Sequence, residues 1–353
     1  MRNAFHQVGL ALAAALLAAS PTAQQEPRAL AEAFAAEHQV PGLSVAIGRR
    51  GGEVEAFGLG LADVENDVPA TADTVYRLAS ISKIVTAVAV LQQVEAGALD
   101  LDRDVRGYVA AFPEKRWPVT LRQLLGHLGG VRHYRRGEGE STAPFATQAE
   151  GLVRFADDDL LHEPGTQYRY STYGFNLAAA AAEAAAGVPY ATWVREHIAA
   201  PAGAPTMQDD AIARIIRHRA QGYVRRDGEL QNSQLMDASY KLGGGGLCSS
   251  APDLARFGLA LMAGKLIGAD SLTAMTTAQA TRDGKSTGYG MGIGVATGAD
   301  GRREWSHSGA QARVSTALLL RPDDGIAVAV LCNLEGVRAM PLARAIADGA
   351  RAR

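Results

Sequence analysis

Between Tyr76 and Gly97 the sequence reads YRLASISKIVTAVAVLQQVEAG. Ser80 and Lys83 lie three residues apart in it, which on a helix sets them one turn apart on one face. A serine hydroxyl is a poor nucleophile until a base takes its proton. A lysine can be that base when desolvation and nearby positive dipoles bring its pKa towards neutrality. Lys83 falls in the first turn of an otherwise apolar helix, where both influences act and where the helix N-terminus disfavours a cation. The N–H of Ser80, at the same helix start, lacks an intrahelical partner and can face a developing oxyanion. The competing reading is a capping serine beside a lysine whose stem is buried and whose head reaches water. Fifteen serines and five lysines in 353 residues give about 0.2 chance matches to S-x-x-K on independent placement. The spacing alone therefore decides little, and the rest of the chain must supply the partners.

The elements that would position these residues are legible on either side. EPRALAEAFAAEHQVPG reads as an amphipathic helix stopped at Pro41-Gly42. LSVAIGRRGGEVEAFGLGLAD reads as a β-hairpin turning at Gly51-Gly52. From about Leu99 to Ala280 the pattern is mostly helices and long loops. TLRQLLGHLGG carries a capping box, Thr120 with Gln123. YGFNLAAAAAEAAAG is an Ala-rich helix closed by Gly187. SAPDLARFGLALMAG opens with Ser250 and Asp253 in capping positions. The stretch 204–240 is too irregular to assign. From Tyr289 onward YGMGIGV, REWSHSG, ARVSTALLLRP and GIAVAVLCN are strand-type runs separated by turn residues, and the last segment reads as a helix. There are no repeats and no low-complexity linker. The simplest assembly is an α+β fold: one antiparallel sheet built from both chain ends, flanked by the terminal helices, with an all-helical lobe inserted. The α/β lobe would take about 27–78 and 281–353, the helical lobe about 79–280, and the site would lie in the cleft between them.

Bulk properties narrow the function. With 47% hydrophobic and 20% charged residues and a net charge of −2, nothing points to nucleic acid or an acidic membrane surface. Residues 1–23 resemble a secretory signal peptide: Arg2 precedes an apolar run from Val8 to Ala19, with small residues between Ser20 and Gln24. The run is short for a membrane span, so the expected product is an exported, periplasmic or secreted chain without a retained anchor. Two cysteines, Cys248 and Cys332, can be bridged in such a chain or remain free and buried. His127 and His133 in HLGGVRH fit no metal-site spacing. The GGGG at 243–246 is followed by no Lys-Ser/Thr and surrounded by no dinucleotide pattern, so nucleotide binding is excluded. A G-x-S-x-G elbow is missing as well.

Two further stretches give the S-x-x-K pair its company. EPGTQYRYSTYGFN puts Tyr170 after a Pro-Gly turn and before a helix; REWSHSGAQARV puts His307-Ser308-Gly309 on a strand. In this order the three elements resemble the signature of the serine β-lactamase and penicillin-recognising family, which pairs S-x-x-K with a Tyr-x-Asn element and a Lys/His-Thr/Ser-Gly strand. LLGHLGGVRHY, GGGGLCSSAPDLARF and GYGMGIGV resemble further segments of that family, so the resemblance spans nearly all of the chain after the export segment. It is nearest to the class C β-lactamase, DD-peptidase and esterase branch, and within it to the mitochondrial β-lactamase-like serine proteases. Two departures stand out. Thr172 occupies the place of the usual Asn and has no amide to offer, and His307 replaces the lysine of typical class C β-lactamases.

The resemblance implies a cofactor-free and metal-free serine hydrolase acting through an acyl-enzyme on a small-molecule or peptide substrate. By it, Ser80 attacks a carbonyl, Lys83 takes the serine proton alone or with Tyr170, and Tyr170 relays a proton to the leaving group. His307 completes the catalytic set. The N–H groups of Ser80 and Ala310 form the oxyanion hole, and Thr172, Ser308, Gly309 and Arg313 contact substrate. A neutral His307 would put less positive charge beside Tyr170, which ranks peptidase or esterase above true β-lactamase. The rival of another class is a non-hydrolytic penicillin-binding or cell-wall sensor protein on the same fold. The sequence assigns no oligomeric state.

Overall fold

The computed structural model describes residues 26–351 except 136, 139, 140 and 299. The expected export segment lies outside them. The hairpin at Gly51-Gly52 forms from β1 (Gly42–Arg49) and β2 (Val54–Asp63), with the short β3 (Val68–Pro69) on its outer edge. Next in the chain come β4 (Val75–Arg77), β5 (Gln208–Asp209), β6 (Tyr223–Arg226), β7 (Glu229–Asn232) and β8 (Leu247–Ser250). The C-terminal part adds β9 (Gly294–Thr297), β10 (Arg303–Gln311), β11 (Val314–Arg321) and β12 (Ile326–Cys332). The main sheet is antiparallel in the order β3-β2-β1-β12-β11-β10-β9, so the two chain ends meet at its centre, with Leu43 opposite Cys332 and Arg49 opposite Ile326.

The strand sequences explain this placement. β11 and β12 are buried along their whole length, as near-continuous apolar runs must be when helices cover both faces. Successive side chains alternate between two cores. Ala317, Leu319, Val328 and Val330 pack under the terminal helices Pro27–His38 and Met340–Ala350. Leu318, Leu320, Ala327 and Ala329 belong to the larger core, shared with the helices Ser82–Glu95 and Ala251–Met262. Among the described residues no helix is long and apolar enough to cross a membrane. Cys248 and Cys332 are buried free thiols.

Three sequence expectations change. The inserted lobe is not all-helical: β4, β8 and β5 form a small sheet and β6 and β7 a two-stranded ribbon. Several of these strands lie in the stretch left unassigned, and β5 is two residues held by pairing with β8, which no local pattern encodes. The helix Ala251–Met262, placed with the insertion by chain order, packs on β1 and β12 of the main sheet. The strand expected from Tyr289 starts only at Gly294. Before it, the chain turns through Gly292, whose N–H is bonded to the Leu125 carbonyl.

Candidate active site

Ser80 sits in a tight 3-10 turn, Ala79–Ile81, that leads straight into the helix Ser82–Glu95. Ala79 has φ 49°, a left-handed conformation that costs an alanine roughly 1–2 kcal/mol. Its surroundings hold it there. The Leu78 N–H donates to the Leu247 carbonyl at 2.8 Å, and the Thr316 hydroxyl donates to the Leu78 carbonyl at 3.0 Å. β10 presses against the same turn at Gly309, where an added Cβ would stand 2.4 Å from the Leu78 oxygen and 2.1 Å from Thr316 Oγ1. The glycine of His307-Ser308-Gly309 is thus a spacing requirement. It lets the strand lie against the serine turn, and it is buried behind Ser308 and Ala310, which are exposed.

Around the Ser80 hydroxyl the geometry is close. Lys83 Nζ lies 3.1 Å from Ser80 Oγ, and the Tyr170 hydroxyl donates to the same oxygen at 2.8 Å. Lys83 also donates to the Gly244 carbonyl at 2.6 Å and to Thr172 Oγ1 at 3.1 Å. It is fully buried. Burial above all, and then the charge of Lys241, bring its pKa well below the ordinary lysine range. Tyr170 goes the other way: burial pushes its phenol up to about 12, against the lowering effect of its bond to Ser80. Burial thus favours the uncharged amine at Lys83 and the intact phenol at Tyr170.

Gly244 earns its place by close approach. A Cβ there would come within 2.3 Å of Thr172 Cγ2, so only glycine lets this carbonyl reach Lys83 beside Thr172. The Gly-rich run at 243–246 serves the lysine and not a phosphate, and the 161-residue separation of the bond explains why the sequence did not disclose it.

Two histidines orient the Tyr170 segment. The Ser171 N–H donates to His127 Nδ1 and the Thr172 N–H to His133 Nδ1, each at 3.1 Å. The His127 ring lies 4.3 Å from that of Tyr170. Ser171 caps the helix Thr172–Ala186 through the Gly174 N–H. Burial, with the charge of Lys83, pushes both histidines down, His133 to about 4. Neither role was read from the sequence, where the two were weighed as metal ligands and their stretch was matched to a family segment.

His307 stands in the cleft wall, its ring centroid 6.4 Å from that of Tyr170. Its Nδ1 faces the Ser308 carbonyl at 2.6 Å. A carbonyl only accepts, so Nδ1 carries the proton and Nε2 accepts from the Tyr289 hydroxyl at 3.0 Å. Burial, and then the charge of Lys83, push its pKa down to about 3. Both nitrogens are thus engaged with protein groups at the wall of the cleft. Arg313 needs a correction. Its guanidinium bonds Gln221 and lines a separate small cavity with Arg77 and Asp210, because the left-handed turn at φ 80° aims it away from the serine.

Ser80, Tyr170, Thr172, His307, Ser308 and Ala310 share one open cleft of about 670 Å³. A second hollow of about 520 Å³ adjoins it across Tyr170, His307, Ser308 and Ala310. The two hollows meet at these four residues, so a substrate can extend from one into the other.

The wall bearing His133 and Tyr134 is tied down by Arg132, which is nearly buried and reaches Glu138 at 2.6 Å and Asp158 at 2.5 Å. Burial pushes both carboxyls up, but the bonds from Arg132 and its neighbours outweigh it and hold them below the usual range. Arg132→Ala is expected to cost about 2 kcal/mol in urea unfolding at pH 7, below the ~3–5 kcal/mol of fully buried pairs because the carboxylates remain partly wet. Depressed carboxyls stabilise the fold above their unfolded pKa, and that contribution fades as pH falls through the lowered values. The gap between wild type and variant should therefore narrow below about pH 4; a gap independent of pH would refute this assignment.

Comparison with known proteins supports the family and the fold. The family model described as Beta-lactamase matches residues 27–351. The human serine beta-lactamase-like protein LACTB, mitochondrial, is 30% identical, covering 84% of this chain and 74% of its own. The octameric penicillin-binding protein homologue from Pyrococcus abyssi superposes with a TM-score of 0.77 at 26% identity, over 90% of this chain and 75% of that one. The D-amino acid amidase from Ochrobactrum anthropi SV3 superposes with a TM-score of 0.79 over 92% of this chain and 97% of that one. At 22% identity it speaks to the fold alone.

Proposed function

Because the chain belongs to the Beta-lactamase family, we propose that it is a serine hydrolase working through an acyl-enzyme on a peptide, amide or ester. One observation carries the reading: Ser80 Oγ lies between the Lys83 amine, at 3.1 Å, and the Tyr170 phenol, at 2.8 Å, at the edge of an open cleft. An uncharged amine has two N–H groups and a lone pair. With the N–H groups on Gly244 and Thr172, the lone pair is left for the serine proton. Ser80 Oγ attacks the carbonyl carbon, its proton passes to Lys83, and the N–H groups of Ser80 and Ala310 take the developing oxyanion. Such a donor is worth roughly 3 kcal/mol. Tyr170, still protonated, donates to the leaving group and is reprotonated from Lys83. Water then attacks the ester of Ser80 by the reverse path. Thr172 and the neutral His307 favour peptidase or esterase over β-lactamase action, since neither offers the amide or the charge expected of a β-lactam site.

We further propose export through residues 1–23. The human relative is described as mitochondrial, and fractionation of the native host with N-terminal sequencing of the mature chain separates the two locations.

The function is tested on the purified chain. A fluorescent penicillin or a fluorophosphonate should form an adduct on the Ser80 peptide, and a p-nitrophenyl ester should be turned over. An adduct without turnover of any ester, amide or peptide points instead to a penicillin-binding sensor. No adduct with either probe overturns acyl transfer altogether.

A further inference from the structure

Lys241 lines the same cleft as Ser80 yet is only 3% exposed. It ends the 3-10 turn Ser239–Lys241, just before the short helix whose Gly244 carbonyl takes Lys83. Its surroundings suit a cation poorly. Among the described residues the hydrogen-bond partner of its Nζ is the Met236 thioether, at 3.6 Å, and a thioether is a weak acceptor. The rings of Tyr134 and Tyr240 stand 5.3 and 5.6 Å from Nζ, contacts worth about 0.5–2 kcal/mol. The acidic group that acts on it from a distance, Asp210, is engaged by Arg77 at 2.5 Å and Arg219 at 3.4 Å. Burial first, and then the charges of Arg77 and Arg154, bring its pKa down to about 7.

The cleft around it has the same sign. Arg135 and Arg226 also line it. The carboxylate in its wall, Glu335, accepts from the Ser233 hydroxyl and from the Arg313 N–H. A buried amine with so little internal compensation is costly, and a ligand that brings a negative charge removes the cost.

We propose that Lys241 is a specificity-determining residue that binds a carboxylate carried by the substrate close to the bond Ser80 attacks. The proposal rests on the serine-hydrolase reading above. A carboxylate entering beside Lys241 forms a charge-assisted hydrogen bond in a partly dry site, where such bonds are strongest. A neutral substrate of the same shape leaves the amine unmatched, so the two differ in transition-state binding. The carboxylate can belong to the acyl part or to the leaving group, since Ser80 and Lys241 line the same cleft.

Two ester pairs decide between these sources: p-nitrophenyl hydrogen adipate against p-nitrophenyl hexanoate, and 3-carboxyphenyl butyrate against phenyl butyrate. In wild type the kcat/KM ratio of anionic to neutral ester should exceed about 10 in one pair, a discrimination of about 1.4 kcal/mol. The pair that shows it identifies the side carrying the charge. In Lys241→Met the ratio should fall to about 1, and in Lys241→Arg most of it should remain. Lys241 also acts on Lys83, but a change at the base affects both members of a pair and drops out of the ratio. Methionine matches the length of the stem and removes a buried charge, so the melting temperature of this variant should not fall. A ratio near 1 in wild type for both pairs, or one that survives in Lys241→Met, overturns the proposal. If no ester is turned over, the hydrolase reading fails, and binding then decides the role of the lysine: adipate should raise the melting temperature of the Ser80→Ala chain but not of Ser80→Ala/Lys241→Met. An equal response of the two would overturn the proposal.

Discussion

Ser80→Ala and Lys83→Met, made separately, are each expected to lower kcat/KM for an ester by ~10⁴–10⁶-fold, and the double variant no further. Groups that act as one unit lose nearly everything when either is removed, and the contacts of Ser80 with Lys83 and of Lys83 with Gly244 and Thr172 describe such a unit. Methionine keeps the length of the lysine stem in a fully buried position, so the loss is chemical if circular dichroism stays unchanged. The pH profile of wild type gives the sign independently. An amine is a base only when deprotonated. Burial, aided by Lys241, lowers the Lys83 pKa, so acylation should climb at low pH and level off well before the range of free lysine, near 10.4. A rate that keeps climbing to that range, or a Lys83→Met chain within tenfold of wild type, would assign the base to another group.

How far the sequence reaches depends on the range of the interaction that fixes each feature. The sheet from both chain ends was legible because its strands are apolar runs bounded by Gly, Pro and Asp turns. The helix Ser82–Glu95 was legible because one lysine interrupts an apolar stretch. The helix Ala251–Met262 was found but given to the wrong layer. An amphipathic stripe says that one face is buried, not that β1 and β12 bury it. At the site, Ser80 and Lys83 could be named from residue type and spacing, and Tyr170 from the family resemblance that the order of the three elements carries. The Gly244 carbonyl, the two histidine acceptors behind Tyr170 and the isolation of Lys241 could not, since each depends on contacts between residues 5 to 161 positions apart that spacing does not encode. Arg313 failed for a related reason: a residue at a strand end can face either way, and its turn chose the other side.

Tyr170→Phe should slow turnover of an amide by ~10²–10⁴-fold, the range of a positioned proton donor, while Tyr168→Phe and Tyr173→Phe stay within a few-fold of wild type. The three tyrosines differ in what their hydroxyls touch. That of Tyr170 donates to Ser80 Oγ, whereas that of Tyr173 donates to Glu138 at 3.0 Å, so its loss should cost about 1 kcal/mol of stability and little rate. Tyr168 is 39% exposed and meets the site through ring contacts with His127 and Tyr289. Because burial keeps the Tyr170 phenol protonated up to about pH 12, it suits the step in which an amide nitrogen must receive a proton as the C–N bond breaks. A p-nitrophenolate leaves without one. The loss in Tyr170→Phe should therefore be much larger for a p-nitroanilide than for the matching p-nitrophenyl ester. Equal losses on the two substrates would mean that the hydroxyl serves Ser80 before attack, by holding or deprotonating it, and not the departing group afterwards.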